Sequence, residues 1–317
     1  MPSNIPIARY RFTARMQSGV RLPEYAGSLL RGQFGAALRG VACMTRQPVC
    51  TGCPLLQSCA YTRIFEAAPP AEHALQKFSN IPNAYVMEPP QLGDCNLQPG
   101  DTLQFSMVLV GGAMDQLALV IFAWQRALRQ GLTQSRSAAD LVAVEWLAGD
   151  GAQPLRIWSA DHPVIAPHHA VLRIAACPAT LQAITLQFHT PLRLQHQGQP
   201  LRADQLDPHA LVAALARRAA LVLEFHAQQP QWGPLARDVA HLANTLQDRR
   251  DLRWFDWTRY SGRQQQEMTL GGLVGRWTLQ GSTDAMAAIW PWLWLGQWLH
   301  VGKNATMGLG GYTLAMQ

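Results

Sequence analysis

Lysine is nearly missing from this sequence of 317 residues. Only Lys77 and Lys303 occur, so 24 of the 26 basic residues are arginine, the side chain suited to bidentate phosphate contacts and base stacking. A GC-rich genome gives the same bias, but it does not explain why one of two lysines falls in a glycine-rich stretch near the C-terminus. Histidine is absent before His73. The opening MPSNIPIARYRF has no apolar segment of the kind a secretory leader needs, which sets the expectation of a cytoplasmic protein. Long hydrophobic runs are lacking too. The longest, Met286 to Val301, is interrupted by Pro291 and Gln297 and is too short to span a bilayer, so it reads as a buried, tryptophan-rich helix. The signatures of nucleotide enzymes are missing as well. HVGKNATMGLGGY, from His300 to Tyr312, has its glycines spaced G-x5-G-x-G, which is neither a P-loop nor a dinucleotide-binding fingerprint opening a helix.

What is present repeats in two rounds. Ile5 to Met16 alternates as a strand. Pro23 to Val41 carries Tyr25, Leu29, Leu30, Phe34, Leu38 and Val41 at helical spacing, with Arg31 and Arg39 off that face. After a cysteine-rich loop come strands at Asn83 to Glu88 and Thr102 to Val110, a helix through Leu117, Val120, Ile121, Trp124 and Leu128, and strands at Leu141 to Leu147 and Leu155 to Trp158. Ala160 to His169, rich in proline and histidine, reads as a linker. The order then returns: a strand at Thr180 to Leu194, a helix at Pro208 to Gln228, strands at Leu252 to Ser261 and Met268 to Gln280, a helix at Asp284 to His300 and a strand at Tyr312 to Met316. Two rounds of β-α-β-β-α-β predict an α+β chain of two tandem ferredoxin-like domains, residues 1–172 and 173–317.

Three constellations carry candidate chemistry. Gly302, Gly308 and Gly310 surround Lys303, and a glycine-rich turn of this kind lets backbone N–H groups cradle a phosphate; a plain turn before the last strand is the competing reading. His300 stands beside this loop, placed to act as a general acid or base at neutral pH. Cys43, Cys50, Cys53 and Cys59 follow C-x6-C-x2-C-x5-C, a spacing that suits structural zinc, with an iron–sulfur cluster or unliganded thiols as alternatives and Cys95 as a substitute ligand. If residues 253–263 form a strand, Arg253, Trp257, Arg259 and Arg263 share one face with Phe255, a mixture of guanidinium and aromatic groups that grips RNA by charge and stacking. A solvated strand face is the alternative.

The combination of LRGQFGAALRGVACMTR (Leu30 to Arg46), CTGCPLLQSCAYTRIFE (Cys50 to Glu66), TPLRL (Thr190 to Leu194), RYSGRQQQEMTLGGLVG (Arg259 to Gly275) and the glycine loop resembles the CRISPR-associated precursor-crRNA endoribonucleases of the RAMP superfamily, in the branch with a cysteine-rich insert (43–66) after the first helix. The resemblance implies metal-independent cleavage of CRISPR repeat RNA to a 5′-hydroxyl and a 2′,3′-cyclic phosphate, a C-terminal glycine-rich loop (302–311) on the RNA, and delivery of crRNA to other CRISPR effector subunits. A non-catalytic crRNA-binding subunit is the second reading. Many members carry a catalytic histidine near the first helix. Here that region offers Arg21, Tyr25, Arg31 and Arg39, so the expected catalytic set is His300, Lys303 and Tyr25, with Arg31 and Arg39 on the RNA.

Overall fold

The computed structural model describes residues 4–68, 81–93, 95–149, 151–261 and 266–316, with the side chains of residues 259–261 and 266–269 left undescribed. The first round begins with β1 (Ile7–Met16), where Tyr10, Phe12, Ala14 and Met16 point inward and Arg9, Arg11 and Arg15 point outward, as period-two alternation requires. Next come β2 (Val20–Leu22), α1 (Gly27–Ala42), a short α2 (Ala60–Ile64), β3 (Tyr85–Glu88), β4 (Cys95–Leu97), β5 (Thr102–Val110), α3 (Leu117–Gln130), β6 (Ala139–Leu147) and β7 (Leu155–Ser159). Strands β3-β5-β1-β6-β7 form one antiparallel sheet. Its first four strands have the order of a ferredoxin-like fold, with β7 added at an edge, and β2 pairs with β4 apart from it.

The second round runs β8 (Ala183–Leu192), β9 (Gln195–His196), β10 (Gln199–Pro200), α4 (Pro208–Ala227), α5 (Trp232–Leu242), β11 (Gln247–Ser261), β12 (Gln266–Gln280), α6 (Thr283–Leu299) and β13 (Tyr312–Met316). Its sheet has the order β11-β12-β8-β13, the same ferredoxin-like pattern. Helix α4 starts where the sequence signals a start: Pro208 occupies the first turn and the Asp207 carboxylate accepts from the Ala210 N–H at 2.6 Å. Helix α6 is capped by Ser282. Several features differ from the sequence reading, among them α2 and the short strands β2, β4, β9 and β10. Helix α5 is additional, held by Trp232, which is fully buried and meets Trp292 edge-on at 5.0 Å. Strand β11 begins five residues before the expected Leu252, because Gln247 already pairs with Gln280. No helix among the described residues is long and apolar enough to cross a membrane.

The two halves share apolar surface. Ile5, Ile7, Val86, Val108 and Val110 of the first pack in one cluster with Ile184, Leu215, Ala216 and Ala219 of the second, and each large aliphatic side chain buried there stabilises the fold by roughly 1.5–3 kcal/mol. The connecting segment is fastened at both ends. Leu172 exchanges backbone hydrogen bonds with Ile5 at 2.8 and 2.9 Å, while Trp290 and Trp294 of α6 donate to the Ala175 and Arg173 carbonyls. The tightest joint is at Gly111, directly after β5, whose φ is +54° and whose missing side chain makes room for the His226 carbonyl of α4. Alanine there meets left-handed strain and a backbone collision together. Gly111→Ala is therefore expected to destabilise the protein by about 1–3 kcal/mol or more, read as a lower urea midpoint, whereas Gly233→Ala, at a position open to solvent, leaves the midpoint near wild type.

Candidate active site

Close approach of two backbones builds the site. Helix α1 opens with Gly27, where a side chain would collide with the Met307 carbonyl. That carbonyl accepts the Tyr25 hydroxyl proton in a short hydrogen bond. Around the contact, Tyr25, Trp257, Leu270, Met307 and Leu309 form a small core, with the Tyr25 and Trp257 rings 5.2 Å apart. Tyr25, expected in the catalytic set, is thus buried and committed to the loop. Trp257, expected on an RNA-binding face, is 3% exposed, because the β11–β12 hairpin folds over the start of α1. Arg253 remains exposed on β11. The side chain of Arg259 and all of Arg263 lie outside the described residues.

The glycine loop is held by the end of β8. The Val301 N–H donates to the Gly310 carbonyl, the Gly310 N–H to Pro191 at 2.9 Å, and the Lys303 N–H to Arg193 at 2.8 Å. The Thr190 hydroxyl donates to the Gly308 carbonyl and accepts from the Gly311 N–H, both at 2.7 Å. Gly308 and Gly310, expected on the RNA, are consequently buried, and the outward face of the loop is residues 302–306.

His300 is not where a general acid belongs. It is 1% exposed, with Nδ1 3.0 Å from the Gly308 carbonyl and Nε2 3.3 Å from Glu88. Glu88 also binds Arg9 through Nε at 3.0 Å and Nη2 at 2.8 Å, and Arg9 donates to the Gln297 carbonyl and lies over the Trp298 ring. A chain Arg9–Glu88–His300–Gly308 therefore ties β1 and β3 to the loop. Burial pushes the Glu88 carboxyl up, but the Arg9 charge, the His300 hydrogen bond and the His300 charge outweigh it and hold it at about 2.

Residues 302–306 open on a cleft of about 870 Å³ whose opposite wall is α1 and the cysteine loop. Its lining includes Arg31, Arg218 and Lys303 as cations and Glu66 as the one carboxylate among the described residues. Arg31 lies with its guanidinium carbon 4.5 Å over the Phe65 ring. Arg39, expected on the RNA, instead donates to the Gln47 and Pro48 carbonyls and rests over Tyr61, pinning the cysteine loop to α1. Sequence reasoning missed Glu66 and Arg218. Glu66 closes a quoted motif, but nothing in the order of residues tells that Arg218, one of two adjacent arginines on α4, reaches this cleft.

Cys43, Cys50, Cys53 and Cys59 line a single small cavity of about 20 Å³ beside the cleft, and Cys50 borders both. The Thr45 hydroxyl oxygen lies 3.5 Å from Cys53 Sγ and 3.9 Å from Cys43 Sγ. Among the described residues no three cysteine, histidine or acidic side chains converge on one ion position. Burial, with the Glu66 charge behind it, pushes the Cys50 thiol up. Cys95 lies on β4 and Cys177 packs against the second core.

The depressed Glu88 carboxyl has a consequence for stability. A carboxylate whose folded value lies below its unfolded one stabilises the fold above the unfolded value, and that stabilisation is lost as pH falls through the folded one. Glu88→Gln is expected to lose stability at pH 7, by roughly 3 kcal/mol as an upper bound from the shift, and the deficit is expected to shrink between about pH 4.5 and pH 2. Denaturant titrations across that window check both the deficit and its disappearance.

A family model described as an N-terminal domain matches residues 5–170, and the model of the CRISPR-associated endoribonuclease Cas6 matches residues 186–312. No curated protein matches the sequence. Among solved structures, a Cas6 product complex is similar with 17% identity and a TM-score of 0.58, over 98% of this chain and 100% of that one. Thermus thermophilus Cas6 is similar with 16% identity and a TM-score of 0.55, over 99% of this chain and 100% of that one. A partial Cas6-RT-Cas1–Cas2 complex gives 14% identity and a TM-score of 0.59, over 100% of this chain and 47% of that one. At these identities the structures share the fold, two tandem ferredoxin-like domains, and over residues 186–312 the chain matches the CRISPR-associated endoribonuclease Cas6 family.

Proposed function

We propose that this endoribonuclease cuts CRISPR repeat RNA in the cleft between α1 and residues 302–306, without a catalytic metal. The observation that carries the reading is the meeting of Arg31 from the first half with Lys303 from the second across one open, cation-lined cleft. The ribose 2′-hydroxyl attacks the adjacent phosphorus, the P–O5′ bond breaks, and the products are a 2′,3′-cyclic phosphate and a 5′-hydroxyl. The reaction needs a base for the 2′-hydroxyl proton, a proton for the leaving oxygen, and positive charge for the phosphorane-like transition state. Arginine supplies charge but exchanges protons poorly. With His300 enclosed, Glu66 takes the 2′-hydroxyl proton and the Lys303 ammonium faces the leaving oxygen. Because one similar structure stands in an assembly with Cas1 and Cas2, we also propose that the product passes to other CRISPR subunits.

Incubating the protein with repeat RNA in EDTA tests the activity, and defined cleavage is expected. In single-turnover reactions Glu66→Gln is expected to slow cutting by about a hundredfold to ten-thousandfold, and Lys303→Ala to slow it while weakening binding modestly. Glu66→Gln cutting at the wild-type rate removes Glu66 from the mechanism. Tight binding by the wild type with no cutting replaces the nuclease reading with that of a crRNA-binding subunit.

We also propose that Cys43, Cys50, Cys53 and Cys59 hold one structural zinc ion. The donor chemistry supports it, since four thiolates make a closed tetrahedral site, and the shared cavity is of single-ion size. The placement of the thiols does not yet fit, so binding requires them to turn inward. Elemental analysis is expected to find about one zinc per chain, and a chelator is expected to lower the melting temperature. Iron with acid-labile sulfide means a cluster instead, and protein free of metal ends the proposal.

A further inference from the structure

Arg218 lies near the middle of α4, and its guanidinium lines the floor of the cleft. Its Nε donates to the Leu299 carbonyl at 2.7 Å, at the end of α6. Its Nη2 is shielded from solvent and has no hydrogen-bond partner. Arg31, on the wall contributed by α1, repeats the situation, with a buried Nε that lacks a partner. Neither guanidinium forms an ion pair among the described residues. Burial draws Arg218 down to about 10, which leaves it cationic at neutral pH.

A shielded cation with an unused N–H is costly unless an anion completes it. Other arginines of this chain show what a satisfied guanidinium looks like. Arg9 has Glu88 and the Gln297 carbonyl, Arg11 has Glu145, and Arg39 has two carbonyls. Among the described residues, the two arginines with a buried nitrogen left unpaired both line the cleft whose rim carries Lys303. Guanidinium N–H groups match phosphate oxygens in spacing and direction.

We propose that Arg218 binds a backbone phosphodiester of the RNA, in a cleft that Arg31 of the first half also lines. The site rests on the cleft being where RNA lies, but not on the chemistry performed there. Arg218 is then a substrate-binding residue donated by a helix of the second domain, and α4 helps to set which nucleotide reaches Lys303.

The test separates this role from a structural one. Binding of repeat RNA, blocked by a 2′-deoxy nucleotide at any mapped cut, is measured over a salt series for wild type, Arg218→Met and Arg218→Lys. Losing one phosphate contact on single-stranded RNA is expected to flatten the slope of log affinity against log salt by about 0.7. Arg218→Met is expected to show that flattening, with affinity about tenfold weaker in moderate salt, while Arg218→Lys keeps most of the slope. In the absence of RNA, Arg218→Met is expected to melt at or above the wild-type temperature, because methionine fills the space without a buried charge. An unchanged slope in Arg218→Met overturns the proposal. Should that variant fail to fold, Arg218→Gln takes its place: a folded protein with the flattened slope supports the site, and one that binds as wild type while melting lower overturns it in favour of the Leu299 tie. A wild type that shows the predicted salt dependence but never cuts leaves the anion site standing and removes the cleavage reading.

Discussion

A carboxylate largely withdrawn from water must be met by positive charge and hydrogen-bond donors, and in this molecule the donors come from both halves. Glu88 ends β3 of the first sheet, Arg9 stands on β1 beside it, and His300 arrives from the end of α6. His300 has a positive φ of 57°, so the helix stops there, and its other ring nitrogen meets the Gly308 carbonyl. One buried charge cluster thereby fixes how the last helix ends, where the glycine loop begins and which way residues 302–306 face. An isolated buried charge is unfavourable, so the arrangement holds only while all its members are present.

The cleft follows from that constraint and from the shared core. Each ferredoxin-like half has its own sheet, yet neither contains the whole site. Arg31 and Glu66 come from the first, Arg218 and Lys303 from the second. What brings them to one place is backbone contact: Gly27 against Met307, Gly111 against His226, and the end of β8 against the loop. Small residues at these joints do the work that large side chains do in the core, because the distance between the halves is set by carbonyls and amides.

Charge is divided inside the molecule between structure and surface chemistry. Arg9, Arg11 and Arg39 are consumed by internal carboxylates and carbonyls, which accounts for part of the arginine bias without any appeal to RNA. The arginines at the cleft are different in kind, since each keeps a buried nitrogen without a hydrogen-bond partner. A folded protein tolerates that cost at a few positions when a ligand removes it.

Much of the architecture was legible in the order of residues, because helical and period-two hydrophobic patterns are local properties. The alternation of β1, the Leu30–Phe34–Leu38 stripe of α1, the start of α4 at Pro208 and the doubled β-α-β-β-α-β order all appear in the structure as the sequence suggested. Local pattern also marked the glycine loop and Lys303. It failed for α5 and for the roles of individual side chains. Tyr25 and Met307 touch across a separation of 282 residues, and nothing near either one says so. Trp257 looked like a stacking surface because alternation tells which face a residue occupies but not what covers that face. His300 looked catalytic because it neighbours the loop in sequence, while the fold encloses its ring between a carboxylate and a carbonyl. The elements were determined by the sequence itself, since their energetics depend on neighbours within a few residues. The site was decided only by tertiary structure, since burial and hydrogen-bond partners are set by contacts between segments that the chain keeps far apart.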